Sequence, residues 1–148
     1  MNCYCEVIID KPIQVAWDYA NNPEHLKLWL NDFVRYEQVT GDVTAPKIGD
    51  TANHTYVQNG KEFTMNEKIV AYDPPNHIKL FMTSSWFDMD IVNDFTALSD
   101  NQTKLIASAD TVRTSLIMKI MMLFMSKKKM QTDHEMQINK LKELIEAI

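Results

Sequence analysis

Glycine is scarce in this sequence of 148 residues, which has only Gly41, Gly49 and Gly60. Loops that cradle nucleotide phosphates need several closely spaced glycines, so a site of this class is not expected. The G-x-S-x-G motif of serine hydrolases is also missing. The four histidines have no spacing typical of metal ligands. We therefore expect neither a metal ion nor another cofactor.

Basic residues, cysteines and long hydrophobic runs are also few. The formal net charge of −5 argues against a nucleic-acid partner, because such proteins usually carry a basic surface. Cys3 and Cys5 would point to one side of a strand at the limit of disulfide reach, so we expect free, buried thiols. No signal peptide is evident, and the longest apolar run, 116–125, is too short to cross a bilayer. These features predict a cytoplasmic protein without stable membrane anchoring.

What the chain does contain is an ordinary share of hydrophobic and charged residues, at 45% and 24%. These proportions are typical of a globular protein, and the length suffices for a sizeable core without disulfides or metals. We expect residues 1–148 to form a single domain, either as a monomer or as a homodimer.

The clearest local pattern is a β-hairpin around Asn59-Gly60, the preferred pair for a type I′ turn. This turn aligns residues whose numbers sum to 119, so that His54 faces Met65 and Tyr56 faces Phe63. In this register one face is mostly apolar and the other is polar, which makes the alignment self-consistent. The predicted inward residues of the hairpin are Ala52, His54, Tyr56, Phe63, Met65, Glu67 and Ile69.

The other strands follow from the same alternation. Residues 3–10 predict a strand, and Pro12 and Pro23 then begin two short helices that carry Trp17 and Trp29. From Phe33 to Arg113 no helical period is found, and short turns join strand-like segments into a largely antiparallel sheet. Further inward residues are Ile78, Leu80, Met82, Phe87, Met89, Ile91, Asn93, Phe95, Leu105, Ala107 and Ala109.

The last 35 residues, 114–148, contain no proline or glycine and predict one long helix that begins near Ser115. A stripe that could seat this helix on the sheet consists of Leu116, Ile120, Leu123, Met130, His134, Ile138, Leu141, Ile145 and Ile148. The first half, 116–125, is apolar on nearly every face and has four methionines. A helix that is apolar all round must be buried or must contact another apolar body.

Three interpretations of this Met-rich half are open: plain core, an adaptable wall or mouth of a cavity, and a dimer contact. Peripheral membrane binding through this half and Lys127 to Lys129 is weakly supported, because the whole chain is acidic.

The order of the predicted elements, together with several short motifs, resembles the START-like (SRPBCC) superfamily over about residues 3–146. The motifs that carry the resemblance are a proline that begins a Trp-bearing helix, and two turn motifs that precede strands. They occur here as Ile9–Trp17, Pro23-Glu24, Trp29, Ile48-Gly49 and Tyr72-Asp73-Pro74-Pro75.

The resemblance implies an α+β helix-grip fold, with a seven-stranded curved antiparallel sheet around a long C-terminal helix and two short helices after the first strand. It also implies a cavity between sheet and helix. The superfamily includes polyketide cyclase-like proteins, lipid-transfer domains and pollen-allergen-like plant proteins. Some members are cyclases, dehydratases or lyases, and others regulate a chaperone ATPase. Fold-level likeness alone does not choose among these functions.

His54, Tyr56 and Glu67 are the most notable polar residues of the predicted interior. A carboxylate that faces an apolar hollow should have a partner or be neutral, and such a group can also serve as a general acid or base. Glu67 and His54 could therefore simply bond each other, could anchor a ligand, or could transfer protons. Asn93 has the same alternatives.

We expect the chain to bind a small apolar or amphipathic molecule. The alternatives are a cyclase, dehydratase or lyase on the same cavity, and a co-chaperone-like interaction module with a filled interior. No catalytic residue is assigned. The predicted ligand-binding residues are His54, Tyr56, Phe63, Met65, Glu67, Leu80, Met82, Met89, Ile91, Asn93, Phe95, Met121 and Phe124.

Overall fold

The computed structural model of the chain describes residues 2–148 and contains one seven-stranded antiparallel sheet. Its strands are β1 (Asn2–Ile9), β2 (Phe33–Thr40), β3 (Thr51–Gln58), β4 (Lys61–Asp73), β5 (His77–Thr83), β6 (Phe87–Ser99) and β7 (Gln102–Thr114). Across the sheet the order is β1-β7-β6-β5-β4-β3-β2. Successive strands from β2 to β7 are thus neighbours, and β1 pairs with β7.

Helices lie at two places in the chain. The connection from β1 to β2 holds α1 (Ile13–Ala20), a 3₁₀ turn (Pro23–His25) and α2 (Leu26–Trp29). After β7 come α3 (Leu116–Met122) and α4 (Lys127–Glu146). The predicted α+β architecture, with a curved antiparallel sheet, two short helices after the first strand and a long C-terminal helix, is confirmed.

The predicted register of the β3–β4 hairpin is also confirmed. His54 pairs with Met65, Tyr56 with Phe63 and Ala52 with Glu67. Asn59 and Gly60 both have positive φ, at 51° and 76°, as a type I′ turn requires. The turn therefore sets which side chains of the hairpin point inward.

Helix α4 packs along β1 and closes one side of the sheet. Its buried residues Ile138, Leu141 and Ile145 join a core with residues from β1, α1, β6 and β7. Polar contacts fix the helix in the same position: the Gln131 side chain bonds both the N–H and the carbonyl of Tyr4. The packing and these hydrogen bonds together hold α4 against β1.

The prediction of one continuous C-terminal helix is wrong. Leu123, Phe124 and Met125 form i→i−3 backbone hydrogen bonds of 3.1–3.3 Å, which tighten and end α3. Ser126 then has an extended backbone, and its Oγ accepts the N–H of Lys129, so that it caps α4. A serine that bonds its own backbone in this way competes with the helix, which explains the break.

The predicted burial of the Met-rich half, as plain core or as a wall of the cavity, is wrong as well, whereas the mouth of a cavity and a dimer contact stay predictions. Leu123 and Phe124 are 81% and 87% exposed. Of the other stripe residues, Leu116, Ile120 and Ile148 are also exposed. Met130 and His134 are half-buried, and Ile138, Leu141 and Ile145 are buried as expected. Within residues 2–148, α3 has no extensive contact with the sheet or with another helix.

Candidate functional site

A cavity of about 1120 Å³ lies between the concave face of the sheet, α2 and the first half of α4. The strands β3 to β6 place alternate side chains in it, because every second residue of a strand points to the same face. The residues predicted for this site that line the cavity are His54, Tyr56, Phe63, Met65, Glu67, Leu80, Met82, Met89, Ile91 and Asn93. The cavity wall is mainly apolar.

Three of the predicted ligand-binding residues lie elsewhere. Phe95 belongs to the solid core, where its ring packs edge-on against Trp17 with centroids 5.4 Å apart. Met121 and Phe124 are exposed to solvent and do not line the cavity. They were assigned on the assumption of a continuous helix, and the break before Ser126 places them outside.

His54 and Glu67 form a buried polar pair at the wall of the cavity. They are 4% and 8% exposed, and His54 Nε2 lies 2.7 Å from Glu67 Oε2. The carboxylate oxygen lies too far off the axis of the ring N–H to accept a hydrogen bond, and neither ring nitrogen of His54 has a hydrogen-bond partner in the described chain. The Nδ1 side of the imidazole is therefore open to another group, while Nε2 stays in close contact with the carboxylate.

Aromatic rings hold His54 in place from several sides. Phe33 meets it edge-on with ring centroids 5.6 Å apart, and Tyr36 does so at 5.3 Å. Tyr56 lies next along β3, with its ring centroid at 6.4 Å. Such packing fixes the orientation of the imidazole without satisfying its nitrogens.

Two tyrosines share the pair's environment. Burial, together with the negative charges of Glu67 and Asp50, raises the pKa of Tyr36 to about 12. Burial is also the main reason that the pKa of Tyr56 is raised, with a smaller contribution from Glu67. Both phenols are therefore neutral at physiological pH, and each can donate or accept a hydrogen bond.

The first half of α4 and the α2 region supply cavity residues that are not among the ligand-binding residues predicted from the sequence. Trp29 lies there with a buried Nε1–H that has no hydrogen-bond partner in the described residues. His134 and Met130 of α4 also line the cavity, and His134 Nε2 lies 3.0 Å from the Ala107 carbonyl. The sequence predicts a short helix that carries Trp29, but nothing in it shows that this helix faces the sheet.

Cys3 and Cys5 are buried free thiols, as predicted. Burial raises the pKa of both thiols, which makes them poor nucleophiles at neutral pH. Among residues 2–148, no three His, Cys, Asp or Glu side chains come together in a way that could hold a metal ion. None of the helices in that part of the chain combines the length and hydrophobicity needed to cross a membrane.

A sheet wrapped on a long helix, with an apolar cavity between them, defines the START-like helix-grip class of protein. Residues 10–146 match the family described as Activator of Hsp90 ATPase homolog 1-like protein, and the chain belongs to that family. No curated protein shows significant sequence similarity to it.

Solved structures with the same fold come from bacteria and from a plant. TTHA0849 from Thermus thermophilus is 19% identical with a TM-score of 0.76, over 99% of this chain and 98% of that one. The Zhui aromatase/cyclase from Streptomyces sp. R1128 is 13% identical with a TM-score of 0.71, over 99% and 93%. The major latex-like protein 151 from Panax ginseng is 14% identical with a TM-score of 0.65, over 99% and 95%. At these identities the likeness concerns the fold alone.

Proposed function

We propose that this protein binds a small amphipathic molecule in the cavity, with a largely apolar body and at least one polar group. The observation that carries the proposal is an apolar cavity of about 1120 Å³ whose wall contains buried polar atoms without partners. Small-molecule sites are typically apolar pockets with a few placed polar groups, and their volumes are roughly 300–1,000 Å³.

The unpartnered atoms suggest how a ligand would be oriented. Leaving a buried N–H without a partner costs about 1–3 kcal/mol, so the Trp29 indole favours a ligand oxygen that accepts from it. His54 offers a second polar contact, and the Glu67 carboxylate beside it favours a group that can donate a hydrogen bond, such as a hydroxyl. The methionines of β4, β5 and β6 would contact the apolar body.

Met65, Met82 and Met89 give this wall an unusual adaptability. Methionine is unbranched and flexible, so its side chain can repack around ligands of different shape. A site of this kind favours a class of related molecules over a single one. Fatty acids, sterols, flavonoids and aromatic polyketides are the classes to test.

A second candidate function is proton transfer on the bound molecule. The buried His54–Glu67 pair at the cavity wall favours it, since an imidazole beside a carboxylate is a common general acid–base arrangement. The interaction-module alternative would need a filled interior, and the open cavity gives it no support. Binding is the function that requires fewest assumptions.

The test begins with native mass spectrometry of gently purified protein and a fluorescence displacement screen against the four ligand classes. We expect at least one binder of micromolar affinity, a co-purified small molecule, or both. The Glu67→Gln variant should bind it more weakly by roughly 1–3 kcal/mol. Glu62→Gln is the matched control, because Glu62 lies on the same strand but points to solvent. It should leave affinity unchanged.

The same ligand separates binding from catalysis. If the recovered molecule is chemically unchanged after prolonged incubation, the protein is a binding module. If it is converted, and His54→Gln abolishes the conversion while Glu62→Gln does not, the second candidate is correct. No binder in any of the four classes, with no co-purified molecule, would contradict the proposal.

A further inference from the structure

The 116–125 segment, which comprises α3 and the turn after it, is a concentrated exposed apolar surface. Its exposed apolar side chains are Leu116, Ile117, Ile120, Met121, Leu123, Phe124 and Met125. Single exposed apolar residues are normal on a protein surface, but a contiguous group of large ones marks a surface that contacts another apolar body. Within the described residues, α3 has no extensive contact with another element, although Met118 and Met122 are half-buried.

Charge around this segment is the reverse of the charge of the whole protein. Residues 111–132 include five of the 15 basic residues and none of the 20 acidic residues, although the net charge is −5. Arg113 pairs with Asp88, and Lys129 pairs with Asp133. Lys119, Lys127 and Lys128 form no ion pair within residues 2–148 and remain available. The average charge of the chain therefore does not describe this surface.

The position of Lys127, Lys128 and Lys129 is not explained by helix stability. They occupy the first turn of α4, which contains no acidic residue. The N-terminal end of a helix carries partial positive charge and favours acidic side chains, so three lysines there destabilise it. Their placement beside the exposed apolar side chains points to an external negative partner.

We propose that the 116–125 segment docks on an anionic lipid surface. Its apolar side chains would enter the boundary between headgroups and acyl chains, while Lys119, Lys127 and Lys128 contact anionic headgroups. A seven-residue α3 is only about 10 Å long at 1.5 Å per residue, so the segment would lie in the interface and not cross it. Binding of this kind is peripheral and reversible.

A second copy of the chain fits the same surface less well. A two-fold dimer through α3 would place two surfaces of the same positive charge against each other, and like charges across an interface are unfavourable. An anionic lipid surface instead matches both the apolar side chains and the lysines. The charge pattern thus selects the lipid among possible occupants.

Both ends of the segment adjoin the rim of the cavity. At one end, the Ser115 N–H donates to the Trp86 carbonyl, and the neighbouring Phe87 lines the cavity. At the other end, Met130 of the first part of α4 lines it as well. Docking through the segment would therefore place the cavity next to the lipid. The docking itself does not depend on the proposed cavity ligand.

The test is co-sedimentation of the full chain with two kinds of vesicle, phosphatidylcholine alone and phosphatidylcholine mixed with phosphatidylglycerol. We expect binding to the mixed vesicles that weakens with added salt, and much weaker binding to the neutral ones. Leu123→Ser/Phe124→Ser and Lys127→Glu/Lys128→Glu should each lower the partition coefficient by about tenfold or more. Neither pair lines the cavity or contributes a buried side chain, so folding should be preserved.

Matched variants control for general hydrophobicity and charge. Val39→Ser/Ile48→Ser removes two exposed apolar residues elsewhere, and Lys140→Glu/Lys142→Glu reverses two charges further along α4. Both should bind vesicles as the unchanged chain does. Three results would overturn the proposal: no sedimentation with anionic vesicles, equal binding to neutral vesicles, or equal losses in the controls. A dimer that Leu123→Ser/Phe124→Ser dissociates, without vesicle binding, would assign the surface to a second copy.

Discussion

The two C-terminal helices of this protein follow one another in the chain, yet they have opposite environments. Helix α4 has a mostly polar sequence, but it buries Ile138, Leu141 and Ile145 against the sheet. Helix α3 is almost entirely apolar, and none of its residues is buried. Hydrophobic content alone therefore does not decide which helix joins the core. What distinguishes α4 is the arrangement of its buried residues in a stripe that the sheet covers.

The difference between the helices has a physical explanation. Short helices are marginal in water, and in proteins their stability comes mainly from packing of one apolar face. The three buried residues of α4 are spaced at i, i+3 and i+7, which places them in one stripe. Helix α3 has no comparable polar face, so no single orientation on the sheet would cover it. An external apolar surface, such as the proposed lipid surface, could cover α3 instead of the sheet.

The largest difference in the free energy of unfolding should be found between two leucine-to-alanine variants, one in each helix. Leu141 is 2% exposed, so Leu141→Ala should lower the free energy of unfolding by roughly 2–5 kcal/mol. Leu123 is 81% exposed, so Leu123→Ala should change it by no more than about 0.5 kcal/mol. Urea unfolding followed by circular dichroism measures both. Comparable losses would mean that α3 packs in solution and that the contrast between the helices is wrong.

A second prediction uses the thiols beneath α4. Cys3 and Cys5 lie on β1, the strand on which α4 packs, and both are buried. In the folded chain they should react with Ellman's reagent far more slowly than in urea. Leu141→Ala should raise the native-state rate about tenfold or more, because it favours the opening of α4. Leu123→Ala is the control and should leave the rate unchanged. Fast labelling of Cys5 in the unchanged protein would contradict the close packing of α4 on β1, whereas Cys3 also lines the cavity and can be reached through it.

Much of this molecule could be predicted from local sequence patterns. The Asn59-Gly60 turn gave the register of its hairpin, and alternation then gave the inward faces of β4, β5 and β6 correctly as far as Asn93. Phe95, the next inward residue, does not line the cavity. Alternation predicts which face of the strand a side chain occupies. It does not tell whether that face meets a cavity or a solid core.

The helices were harder to predict, because their placement depends on tertiary packing. The sequence predicts a short helix that carries Trp29, but the position of Trp29 in the cavity wall depends on where α2 lies relative to the sheet. Met121 and Phe124 were assigned to the site through an uninterrupted helix. Ser126 was the available sequence signal against that helix, since serine is a strong N-cap residue, but the absence of proline and glycine favoured continuity.

The smallest effects should come from removing the serine cap of each helix. Ser126 Oγ accepts the Lys129 N–H and Ser115 Oγ accepts the Met118 N–H, each at 3.2 Å. Ser126→Ala should lower the free energy of unfolding by about 0.5–2 kcal/mol, the usual cost of a lost cap. Ser115→Ala should have a smaller global effect, because α3 can unfold locally while the sheet and α4 stay intact; its amide hydrogens should simply exchange faster. Urea unfolding and hydrogen exchange measure the two effects. Increased helicity of Ser126→Ala without any loss of stability would show that the serine interrupts a helix that would otherwise continue, and that α4 does not need this cap.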